Sequence, residues 1–402
     1  MKRFFLILFF AAEAAAQSGP AAGIDRRALV TRHNVVLRHP DAWAPLTVGN
    51  GEFAFTADIT GLQTFPEFYR ASIPLATQSQ WGWHSFPNPA GYRLEDTFEL
   101  FDTWGRGVAY PTNTRTAAAE WLRQNPHRLS LVRIGLHFPR GATVRVEELR
   151  DIEQRLDLWS GILESRFTVG VERYRVRTMV HPRLDLLLVR VARSGRAPGP
   201  AAIVIEFPYA SGVHTGDPAD WNHPGRHTTR VARSSATEAE FRRTLDADHY
   251  FARAAWSRPG RMREESAHRF VVEFSGHSLD FRMAFAAQKD PGRMPDPPEI
   301  EEEVQAHWRK FWTSGGAIDL SGSTDPRARE LERRIVLSQY LTAIQCAGSM
   351  PPQETGLTFN SWYGKFHLEM HWWHAAHFVL WGRPELLEKS LPWYRTIAPQ
   401  AR

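Results

Sequence analysis

From about Arg27 to Phe285, apolar and polar positions alternate in short runs broken by Gly, Pro and Asn. A two-residue period is the mark of strands buried on one face. "LTVGNGEFAFTADI" predicts two strands around Gly49-Asn50-Gly51, where an Asn-Gly pair favours a type I′ turn. "TVRVEELRDI", "GILESRFTVGVERYRVRTMV", "LDLLLVRVARSG", "AAIVIEFPYA", "RFVVEFSG" and "RMAFAAQ" continue the pattern, with Arg and Glu set against Val, Phe, Tyr and Leu. Many strands with no amphipathic helices between them predict a large antiparallel sandwich over residues 27–290.

The period changes after the Pro-rich "KDPGRMPDPPEI". Within a linker over 291–325, Ile300, Val304, Trp308 and Phe311 recur at helical spacing behind acidic residues. A longer helix is expected from 326, with Asp325 as N-cap, Pro326 at N1, and Leu331, Ile335, Ser338 and Leu341 on one face. A further helix is predicted from about Leu368 to Leu380, stopped by Gly382, and another begins at Pro384. The apolar faces of these helices require partners: either they pack back onto the sandwich, or residues 326–402 open a larger helical domain. The second is the expectation.

Composition narrows the function. "MKRFFLILFFAAEAAAQ" has a basic start, a short apolar run and small residues at Ala14–Ala16, the features of an export signal over residues 1–16. The protein is therefore expected to be exported, periplasmic or extracellular, with no membrane span after cleavage. A single cysteine, Cys346, excludes a disulfide framework and a thiolate zinc cluster, and its flanks predict burial. The net charge of +5 is spread along the chain and gives no basis for nucleic-acid binding. Only five lysines stand among 49 basic residues, which makes Lys365 conspicuous in the segment that carries most of the candidate chemistry.

That segment is "NSWYGKFHLEMHWWHAAHF", Asn360–Phe378. On a continuous helix His367, His371 and His374 would share a face. A zinc-protease motif places its glutamate directly after the first histidine, whereas Glu369 is one residue late, so no metal is expected. A sugar site fits better: rings cover the apolar faces of a sugar while polar groups hold its hydroxyls. Trp362, Lys365, His367, Glu369, His371 and Trp372 are candidate substrate contacts, with Trp81 and Trp83 from the sandwich loop "TQSQWGWHSFPNP". Trp373, His377 and Phe378 read as packing between helices, and "HTGDPADWNHPGRH" reads as a surface loop. With no phosphate-binding loop, dinucleotide fingerprint or nucleophile elbow, no cofactor is expected.

The order of parts resembles the six-hairpin glycosidase superfamily, with its β-supersandwich, helical linker and (α/α)6 toroid. It is most similar to relatives of glycoside hydrolase families 65 and 95. "LTVGNGEFAFTADITGLQTF" resembles the Gly-Asn-Gly hairpin of family 65. "IEQRLDLWSGILESRFTVGVERYRVRTMVHPRLDLLLVRV" is similar to a strand pair of family 95. "KFHLEMHWW" falls where family 95 reads Asn-Ile-Asn-Leu-Glu-Met-Asn-Tyr-Trp. Lys365 and His367 replace two asparagines that help position the attacking water there, a departure that implies a different substrate. The resemblance implies an inverting glycoside hydrolase acting on an oligosaccharide, or alternatively a glycoside phosphorylase. Outside enzymes, a carbohydrate-binding module is the remaining reading. Inversion needs an acid and a base. Glu369, the one carboxylate of the segment, is the only catalytic candidate, so this chain is expected to be inactive by itself.

Overall fold

The computed structural model describes residues 23–138, 144–195, 201–289 and 291–401; the predicted export signal lies outside them. Nine antiparallel strands form the main sheet, in the order Val35–Leu37, Arg150–Asp157, Ile162–Val169, Glu172–Val180, Leu186–Ser194, Ser278–Ala286, Asp248–Trp256, Glu238–Leu245 and His227–Ser234. Against it lie a four-stranded sheet built on Ala201–Glu206 and Arg269–Phe274, and a three-stranded sheet of Leu46–Gly49, Phe53–Ala57 and Thr77–Ser79. Rings interlock between the layers: Phe241 of the large sheet meets Phe270 at 5.0 Å and Phe207 at 5.2 Å. One continuous apolar core spans both layers and the first helices. The predicted sandwich is therefore present, because alternation gives each strand one face to bury.

Two helices close one side of it. Pro297–Thr313 buries Ile300, Val304, Trp308 and Phe311, the predicted stripe. Ala328–Cys346 starts later than expected and is rotated relative to the predicted face: Leu331 is exposed, while Glu332, Val336, Gln339 and Tyr340 are buried. The inward polar groups explain the rotation, because each has a partner. Glu332 accepts from Arg32 Nε at 2.8 Å, from the Leu320 amide at 2.5 Å, and lies 2.5 Å from His33 Nε2. Gln339 accepts from Arg383 at 2.9 Å. The helix packs back onto the sandwich, where Tyr340 donates its hydroxyl to the Thr47 carbonyl at 3.2 Å. Cys346 is buried, which pushes its thiol up to about 12.

The Gly-Asn-Gly hairpin is where the two parts join. Gly51 has φ +92° but Asn50 is not left-handed, so the predicted type I′ turn does not form. The Asn50 side chain instead accepts from the amides of Glu52 and Phe53 at 2.9 and 2.8 Å. The Gly51 amide donates to the Ile344 carbonyl at 3.0 Å, capping the end of the 328–346 helix. A side chain at Gly51 would meet the Ala347 oxygen at 2.7 Å, so glycine is required for the contact. Arginine is also used inside: Arg243, fully buried, donates to the carbonyls of Thr228 and Pro208 and to His227 Nδ1, with no carboxylate among these partners.

Among the described residues, no helix is long and apolar enough to cross a membrane.

Candidate functional site

The helix predicted from about Leu368 to Leu380 is present over 370–380, opening as a π-helical turn, and the loop before it takes an unusual backbone path. Trp362, Tyr363 and Gly364 have φ of +50°, +58° and +68°, one left-handed turn of three consecutive residues. Left-handed backbone costs a non-glycine residue roughly 1–2 kcal/mol, so outside contacts must hold it. The Tyr363 amide donates to the His214 carbonyl at 2.9 Å, and Asn360 Nδ2 donates to the Val213 carbonyl at 3.3 Å. From below, Arg128 Nη2 donates to the Gly364 carbonyl at 3.3 Å, and its Nη1 donates to the carbonyls of Ser79 and Gln80. Arg128 is buried without a carboxylate, which draws its guanidinium down to about 9, and it stacks 3.8 Å from the Trp83 ring.

Lys365 completes the clamp. Its ammonium donates to the carbonyls of Leu122, Arg123 and Asn125 at 3.0, 2.7 and 3.0 Å. With His127 Nδ1 at 3.1 Å from the Gln124 carbonyl, the last carbonyls of the Ala117–Gln124 helix are all met. Burial lowers the Lys365 amine to about 8. An ammonium has three donors, and all three are taken. Lys365 is therefore a positioning residue for the turn.

Other candidates separate. The three histidines do not share a face, because residues 371–375 form a single π-helical turn preceded by irregular chain. His371 places Nδ1 at 2.6 Å from the Tyr394 hydroxyl and Nε2 at 2.9 Å from Ser390 Oγ, while His374 reaches the Glu354 carbonyl at 2.8 Å. Trp81 donates to Asp185 at 2.7 Å and packs beside Tyr250. Trp81, Trp83, Lys365 and His371 are thus engaged within the fold. Trp362 remains 48 % exposed, with the His214 ring 4.6 Å away and the His367 ring 5.7 Å away, both edge to face. Glu369 and Trp372 lie exposed further along. Trp373 is exposed too, contrary to the expected packing between helices, whereas Phe378 is buried as expected.

The loop read as surface contributes more than its composition suggested. His214 belongs to the site, Trp221 stacks 3.8 Å from Arg133, and His227 is buried against His268 at 3.8 Å. Gly and Pro content marks a loop but cannot report what the loop leans on. Chemically, the surface offers a half-exposed indole between two imidazoles, with a carboxylate nearby in sequence. Aromatic face plus hydrogen-bonding edge suits a polar ring with apolar faces.

No protein-family model matches the sequence, and no curated protein matches it. Among solved structures, one described as a kojibiose phosphorylase from the human microbiome superposes with a TM-score of 0.60 at 8% identity, over 89% of this chain and 48% of that one. A bacterial glucoamylase complexed with acarbose gives 0.49 at 7% identity, over 92% and 54%. A GH92 family glycosyl hydrolase gives 0.41 at 10% identity, over 80% and 41%. Only the first overlays closely enough to carry weight, and at such identity it speaks for the fold alone. The chain spans about half the length of that structure.

Proposed function

With the supersandwich-and-helix fold of a glycosidase-like superfamily as premise, we propose that the chain is an exported carbohydrate-active protein that holds an oligosaccharide against Trp362. The observation that carries this reading is the left-handed Trp362–Gly364 turn. Strained backbone persists only where its surroundings over-determine it, and it clusters at ligand sites. Here Arg128, Lys365 and the His214 loop fix a turn that presents one indole, with His214 and His367 as hydrogen-bonding neighbours. The finer proposal is a glycoside hydrolase acting with inversion, with a glycoside phosphorylase as the second reading.

Inverting hydrolysis needs one group to protonate the leaving oxygen and another to activate water on the opposite face. Glu369 is the single carboxylate between Asn360 and Phe378, and one carboxylate cannot fill both roles. The chain by itself is therefore proposed to bind glycan without turning it over. Calorimetric titration with a panel of neutral oligosaccharides tests this. Wild-type protein should bind one of them, and Trp362→Ala should weaken binding by about 3–10-fold, the value of one aromatic contact. Equal binding by the variant, or rapid cleavage by the chain alone, would overturn the reading; cleavage dependent on phosphate would select the phosphorylase.

A further inference from the structure

The outer face of the nine-stranded sheet holds a second site. Two contiguous troughs of about 460 and 570 Å³ run across it, sharing Arg175 and Ala192. The strand register explains the walls. Arg166 stands directly opposite Arg175, and Arg177 directly opposite Arg190. Like charges in facing positions destabilise a sheet unless an anion lies between them. Glu164 bridges the first pair at 2.7 Å to each arginine, and Glu301 of the Pro297–Thr313 helix bridges the second at 2.6 Å to each. Asp280 adds a contact to Arg190 at 3.0 Å. Four guanidiniums thus share three carboxylates. Arg173 and Arg258 have no carboxylate partner among the described residues, Arg193 lies buried in the lining 3.6 Å from Glu172, and Asp151 is the one other acid lining the troughs.

The floor is made of small or hydroxyl-bearing residues, Ala192, Ser194, Ser257 and Ser278. The only rings in the lining, Phe167 and Tyr174, are buried with their side chains in the core beneath. A peptide ligand would need pockets for apolar anchors, and a single-stranded nucleic acid would need rings to stack on. Neither is present among the described residues of the troughs. What remains is a long hydrophilic groove with planar, bidentate donors in excess, matched to carboxylates or sulfates spaced along a hydroxylated polymer.

We propose that this face binds an acidic polysaccharide, one bearing uronate or sulfate groups, as a surface separate from the Trp362 turn. The groove keeps the chain on a charged glycan whatever Trp362 contacts.

The test is titration of the whole chain with oligogalacturonate, a sulfated oligosaccharide, a neutral oligosaccharide of equal length, and poly-glutamate. Wild-type protein should bind oligogalacturonate or the sulfated oligomer at least ten-fold more tightly than the neutral one, with affinity falling as salt rises. The Arg166→Gln/Arg175→Gln double variant should lose about ten-fold or more. Ala192→Phe fills the trough without changing charge and should lose as much, which covers the case in which the arginine variant folds poorly. Trp362→Ala should leave this binding unchanged, so failure here and failure of the neutral-glycan reading are told apart. Binding of poly-glutamate as tightly as the acidic glycans, or an unaffected Ala192→Phe variant, would overturn the proposal.

Discussion

The nine-stranded sheet and the segment from Asn360 to Ala375 meet the same demand, a partner for every buried backbone group, in opposite ways. In the sheet each strand satisfies its neighbour in regular register, as Leu163–Val169 does against Glu172–Thr178. In the segment short local bonds, such as the Gly364 amide to the Ser361 carbonyl and the Lys365 amide to the Trp362 carbonyl, close each turn, but distant groups hold the turns in place. Gly364 depends on Arg128, Tyr363 on the His214 backbone, and Lys365 serves a helix 240 residues or more away in sequence. A sheet written by its own pattern is robust to what surrounds it, whereas a turn held from outside is only as fixed as its holders. The difference places the Trp362 surface under the control of the sandwich.

Four perturbations break or sharpen that contrast. The largest effect is expected from Gly364→Ala. A Cβ there would sit 2.4 Å from Arg128 Cβ in a backbone of φ +68°, costing about 3 kcal/mol from left-handed strain and overpacking together. Chemical denaturation measures it, and a loss under about 0.5 kcal/mol, the level of a neutral surface change, would mean the turn is not clamped. Next, Lys365→Met leaves three carbonyls at the end of the 117–124 helix without their donor. A loss of about 1–3 kcal/mol is expected, together with raised proteolysis near Trp362.

Acidification acts on the titratable groups that each region buries. Burial draws His127, beneath the clamp, and His377, on the short helix Ala376–Leu380, down to about 4. The unfolded chain takes up those protons near pH 6.5 and the folded chain does not, so stability contributed by the neutral rings is lost as pH falls from about 6.5 to 4. Asp58 and Asp185 of the sandwich run the other way, because burial raises both to about 6. Their protonated forms favour the fold below the unfolded value, and that contribution is lost as pH rises through about 6. His227, in the last strand of the large sheet, is drawn down to about 3 and shares the sign of His127. Amide exchange at about pH 4.5 should therefore show the 360–380 segment and the His227 edge of the sheet both losing protection relative to about pH 7, and unchanged protection at both would contradict the assignment. Smallest is Trp372→Ala, whose ring is 72 % exposed: a change within about 0.5 kcal/mol is expected in melting experiments.

The contrast also explains what could be read from the sequence. Strands such as Glu172–Val180 and the buried stripe of Pro297–Thr313 were legible because period and burial coincide in them. The rotated face of Ala328–Cys346 was not, because Glu332 and Gln339 face inward toward partners, Arg32 and Arg383, that no local pattern reveals. In the candidate site, composition drew attention to Asn360–Phe378, and the fold brings Trp362 and His367 of that stretch together. It also drew in Lys365 and His371, which the fold spends on itself. Residue type shows what a side chain is able to donate; only the tertiary neighbours show to whom. The left-handed turn left one legible mark, the glycine after Trp-Tyr.

Lys365 has a further consequence, for chemical labelling. An amine attacks an acylating reagent through its lone pair, and this amine becomes free to do so only when the turn lifts off the 117–124 helix. Lys289 and Lys310 are exposed and label at once. The slow acylation of Lys365, followed by peptide mass, is therefore a clock for local opening at the Trp362 surface. A glycan that settles on Trp362 should slow that clock without touching the lysine.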